Sequence, residues 1–113
     1  MTTEQQKSVA IAKTIQQQLL GTGKIKVWSW GANSWAAINN GLQFKVQGFI
    51  FRGEIRITLQ PSDTYTIQLI KNKKVQQEFN GVHFDEMVDL IDINVEYTGD
   101  NYENDVDNAV YSI

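Results

Sequence analysis

The chain has no cysteine, one proline and one histidine. Without cysteine there are no disulfide staples, thiolate nucleophiles or thiolate metal ligands, and the composition fits a cytoplasmic protein better than a small secreted one. Nucleophilic hydrolysis wants a serine or cysteine beside a histidine that a carboxylate orients. The single His83 has Asp85 and Glu86 close by in sequence. That grouping reads more simply as a helix start, where His83 caps or faces solvent, than as an acid–base site. No apolar run approaches the roughly 20 residues that cross a bilayer. The segment Met1–Lys7 lacks the basic-then-apolar order of a signal peptide. There is no glycine-rich phosphate loop, because Gly21 and Gly23 follow a helical segment instead of opening one.

Positive charge is missing from one end. Residues 85–113 carry nine Asp and Glu and no Lys or Arg, while residues 1–84 hold all ten Lys and Arg and four acids. The net charge of −3 hides this split. A basic body attracts polyanions, and an acidic end repels them or folds back on the body. Within the acidic end, Asp100–Asp107 alternates acids and amides in a way that superficially suits calcium. It lacks the glycine and the bidentate glutamate at the spacing of an EF-hand loop, so a solvated acidic arm is the simpler reading. No residue is assigned as a catalytic group or metal ligand, no cofactor is implied, and a non-enzymatic protein is expected.

What is present suits one domain, since 113 residues bury enough apolar surface to fold without staples. Residues 3–20 read as a helix with Ser8, Ile11, Ala12, Ile15 and Leu19 on one stripe, stopped by Gly21 and Gly23. Strands are expected over 24–31, 42–52, 54–60, 64–71 and, more weakly, 74–79, with turn chemistry at 32–41, Arg52-Gly53, 60–63 and Asn72-Lys73. A second helix is expected over 83–95, with Phe84, Met87, Val88, Ile91 and Val95 as its buried stripe. Short links favour an antiparallel meander. The prediction is an α+β two-layer sandwich, with about five strands and both helices on one face, over residues 1–97, followed by an acidic C-terminal arm over 98–113.

The most informative stretch is Lys24-Ile-Lys-Val-Trp-Ser-Trp-Gly31. As a strand it places Ile25, Val27 and Ser29 on a core face and Lys24, Lys26, Trp28 and Trp30 on the opposite one. Joined by Lys45, Arg56 and Lys74 from the later strands, those residues form a face of cations and indoles. Cations suit phosphate and indoles suit base stacking, so the face points to single-stranded nucleic acid. The competing reading covers the tryptophans with the 32–41 segment or with a second copy of the chain, as a homodimer. Trp35, Phe49 and Phe51 are then candidate partner contacts. Asp100, Glu103, Asp105 and Asp107 of the acidic arm are candidates for binding a protein partner.

Three segments, Lys26-Val-Trp-Ser-Trp-Gly31, Gly53-Glu-Ile-Arg-Ile-Thr-Leu59 and Gly81–Asp92, together resemble short uncharacterised proteins carried by bacterial phages and other mobile elements. The resemblance spans residues 24–100 and carries over no functional residue. It implies an accessory role, either in nucleic-acid handling or in binding and inhibiting a host protein, where the acidic arm would mimic a polyanion.

Overall fold

The computed structural model describes residues 3–96. In chain order they form α1 (Thr3–Ser29), β1 (Asn33–Ile38), β2 (Gly41–Gln47), β3 (Arg52–Leu59), β4 (Tyr65–Lys71), β5 (Lys74–Val82) and α2 (Met87–Val95). The strands make one antiparallel sheet in the order β1-β2-β3-β4-β5. The expected α+β fold is present: a five-stranded meander with a helix before it and a helix after it. The arm at 98–113 lies outside the described residues.

The first strand is not where alternation places it. Residues 24–29 are helical and continue α1, and the strand is the next segment, Asn33–Ile38, which reads in sequence as a turn-rich loop. Helical spacing explains the outcome. Ser8, Ala12, Ile15, Leu19, Val27 and Trp30 are all buried, and Gly23 falls in phase between Leu19 and Val27. Burying a large apolar side chain stabilises by about 1.5–3 kcal/mol, a gain at Trp30 that a strand placing it on the outer face would forgo. Gly23 does interrupt the helix, as expected, but helix resumes after it in place of the expected strand. Its backbone breaks the helix locally (φ −161°, ψ 53°), and the chain bends there. A Cβ at this position would collide with Val88 of α2, so the absent side chain is what lets the two helices meet. The same phase leaves Ile25, read as core, 85% exposed.

The hairpins follow turn chemistry. Asn40, Asp63, Asn72 and Lys73 adopt positive φ at the three turns after β1, β3 and β4, and Asn and Asp tolerate that conformation best among residues with a side chain. Between β2 and β3 the reversal is at 48–51, and Gly53 lies inside β3, where a Cβ would strike the Ile70 carbonyl. The sequence places this turn at Arg52-Gly53, with the phase slip at Gly48 read as a bulge or sharp bend. The Val95 carbonyl at the end of α2 accepts the Ile50 N–H at 2.8 Å and holds this loop.

One face of the sheet carries Leu42, Phe44, Val46, Ile55, Ile57, Tyr65, Ile67 and Leu69 into the core, against the buried stripes of α1 and of α2 (Met87, Val88, Ile91, Val95). α1 covers β1 and β2 and also packs on α2, whereas neither helix packs broadly against β5. α2 is shorter than expected. Residues 83–86 form turns before it, and Phe84, placed in sequence on the buried stripe, is 53% exposed.

Candidate interaction surface

The seven residues expected on a basic aromatic sheet face do not share a face. Lys24, Lys26, Trp28 and Trp30 lie on the second half of α1 or just after it. Trp30 is wholly buried, and its indole Nε1–H donates to Asp92 Oδ1 at 3.0 Å. Trp28 is 72% exposed, with Lys24 Nζ 5.5 Å from its ring centroid. Lys26 pairs with Asp89 of α2 at 2.8 Å. Lys45 and Arg56 are on the outer face of the sheet. Lys45 stands opposite Glu54, and Arg56 Nε and Nη2 donate to Gln43 Oε1 at 3.2 and 3.1 Å. Lys74 opens the edge strand β5. Of the partner candidates, Trp35 stacks on Phe44 at 4.5 Å and belongs to the core's margin, Phe51 is half-buried, and Phe49 is exposed at the β2–β3 reversal. Asp100, Glu103, Asp105 and Asp107 lie outside the described residues.

The outer face of the sheet is a knit polar surface. Gln43, Arg56, Gln68 and Glu78 stand opposite one another across β2 to β5. Gln68 Nε2 donates to Glu78 Oε1 at 2.7 Å, and Thr66 Oγ1 donates to Asn80 Oδ1 at 2.8 Å. The hydrogen bonds from Gln68 and then Asn80 hold the Glu78 carboxyl below its ordinary range and keep it ionised. Side chains tied to each other in this way offer hydrogen bonding but no ring for a base to stack on.

Sequence reading missed a buried pair of acids. Asp92 and Glu96 are 4% and 6% exposed, one helical turn apart at the end of α2. Asp92 looks like part of a solvated acidic ridge with Asp85, Glu86 and Asp89, yet three positions on from Asp89 the helix has turned it toward Trp30. Burial, then the charge of Asp92, push the Glu96 carboxyl up, against a backbone N–H from Phe49.

The open side of the molecule is at β5 and α2. β5 is an edge strand, and among the described residues no backbone hydrogen bond joins it to anything but β4. Its inner face carries Gln77, opposite Leu69, and Phe79, opposite Ile67. Gln77 is exposed and Phe79 only half-buried, because no helix covers them. Between β5 and α2 runs a hollow of 630 Å³ floored by Phe79, Val82, Leu90 and Ile93. Ile93 lies off the buried stripe of α2 and is 55% exposed. The rim is acidic on the α2 side, with Asp85, Glu86 and Asp89, and Glu78 lies at the strand side with its carboxylate on the outer face. The sequence signals were faint: an apolar Ile93 out of phase with its helix, and a strand too polar to be central.

No helix among the described residues is long and apolar enough to cross a membrane. No group of three or more His, Asp or Glu among them is placed to hold a metal ion. Comparison with family models, with curated proteins and with solved structures gives no match.

Proposed function

We propose that this protein is a non-enzymatic binding module whose partner is another protein, held on the side formed by β5 and α2. The observation that carries the reading is the uncovered inner face of β5: an unpaired strand edge beside an apolar floor with Ile93 presented to solvent. Strand edges and apolar hollows left open are the two features through which small domains hold peptide segments. In the setting implied by the phage-like segments, the partner is a host protein. The test is selection of a random displayed peptide library on the purified protein, followed by Ile93→Asp. Enriched peptides should lose affinity about tenfold in the variant, the loss typical of one apolar anchor. Failure to enrich any peptide, or binding indifferent to Ile93→Asp, would overturn the reading.

A second reading rests on Lys24 and Trp28, an ammonium beside an exposed indole. This pair supports stacking of one base of single-stranded nucleic acid, without the wider platform expected from sequence. Adding oligothymidylate should then quench tryptophan emission, and Trp28→Phe should remove the response. Emission unchanged by the oligonucleotide would sink this reading.

A further inference from the structure

From the β5–α2 side, and resting on its reading as a protein-binding surface, we infer that the partner presents a basic, extended segment that adds to β5 as a sixth strand. Three features of the groove select that chemistry. The first is the strand edge. β5 is paired regularly with β4 through Gln77, Glu78 and Phe79, between two register irregularities. This central run keeps strand geometry and turns its other edge outward. An incoming extended chain satisfies those backbone groups, and its alternate side chains fall on the inner face.

The second is the floor. Phe79, Leu90 and Ile93 lie where an added strand would direct every other side chain, so apolar residues are required at alternate positions. The third is charge. Asp85 and Glu86, on the α2 side of the hollow, have no cationic partner among the described residues, and the Glu78 carboxylate, on the outer face of the same edge strand, is hydrogen-bonded by the neutral Gln68 and Asn80. The lysines of this side, Lys71, Lys73 and Lys74, sit at the opposite end of β5, in and beside its hairpin with β4. The basic residues of the partner therefore sit between the strand centre at Glu78 and its Val82 end, beside Asp85 and Glu86.

The same charges argue against two other occupants. The chain's own residues 97–113 carry four acids and no base, which is the wrong sign for an acidic rim. A second copy paired through β5 about a two-fold axis near the strand centre brings Glu78 against its equivalent, a like-charge cross-strand contact.

The experiment uses the full chain and three synthetic peptides the length of β5: one alternating lysine with valine, one alternating glutamate with valine, and the lysine peptide N-methylated at alternate residues along one edge. Binding is read by fluorescence anisotropy, with sedimentation equilibrium of the protein alone. The lysine peptide should bind, more weakly as salt rises. The glutamate and N-methylated peptides should each bind at least about tenfold less well. The double variant Asp85→Lys, Glu86→Lys should weaken the lysine peptide by a similar factor.

Equal binding of the lysine and glutamate peptides, or no effect of N-methylation, overturns the basic-strand inference. So does a dimer of the free protein that Ile93→Asp dissociates. If library-selected peptides depend on Ile93 but are neither basic nor sensitive to N-methylation, the inference fails and the binding-module reading stands. If Ile93→Asp changes no binding at all, both fail.

Discussion

The three tryptophans occupy three environments within a few residues of each other, and their substitutions should separate cleanly. Trp30 is buried with its N–H on Asp92. Trp30→Phe empties part of the core and leaves a buried carboxylate without its donor, so it should destabilise by about 2–4 kcal/mol in denaturant unfolding. Trp28→Phe, at an exposed site, should cost less than about 0.5 kcal/mol. Equal losses in the two variants would contradict the assignment of core and surface. Glu96 adds a pH dependence. Its folded-state carboxyl is raised by burial and by Asp92, so the folded chain holds that proton more tightly than the unfolded chain does. The sign follows from linkage: this group's contribution is most favourable at low pH and is lost as pH rises from the ordinary glutamate value through the raised one. Glu96→Gln should therefore raise the melting temperature at neutral pH and flatten its slope across the carboxylate range. A variant that melts lower at pH 7 and keeps the slope would refute this.

At the scale of elements, the two glycines of α1 make opposite predictions. Gly21 is helical with open space around its missing Cβ, whereas a Cβ on Gly23 would collide with Val88. Gly21→Ala should stabilise by about 0.5–1 kcal/mol through helix propensity. Gly23→Ala should destabilise by about 1–3 kcal/mol, because α2 must move away. Chemical denaturation of the pair checks both signs. Sequence alone treated the two glycines alike, as a stop, and so gave residues 24–31 to the sheet. Alternation at 24–30 fits a strand, but Ala12, Ile15, Leu19, Val27 and Trp30 fit one helical stripe that runs across the glycines. Long-range burial decided between the two periods. β3 and β4 were legible because the turns beside them carry Asn, Asp and Pro and their alternation is unbroken, as in Ile55, Ile57 and Leu59, whereas the end of β2 was not, since its reversal at 48–51 carries none of these residues. Phe84 and Ile93 were not legible, because whether an apolar residue near a helix is covered depends on a neighbour that local pattern does not name.

For the whole molecule, the meander leaves two unlike sheet edges. α1 runs over β1 and β2, and α2 packs beside α1, so cover is concentrated on one half of the sheet. β5 is left with Gln77 and Phe79 uncovered and an acidic helix flank beside them. The fold was predictable from segment order. The open side was not, since it depends on which strands the helices reach. The basic aromatic face expected from sequence dissolved for the same reason, once 24–29 joined α1 and Trp30 entered the core. The decisive measurement for the β5–α2 side is an amide-resolved NMR titration of the full chain with the lysine–valine peptide. Shifts should be confined to residues 76–82 and 85–93, with the amides of β5 gaining protection from exchange. Shifts centred on Lys24 and Trp28, or on the outer face around Arg56, would contradict binding at that side.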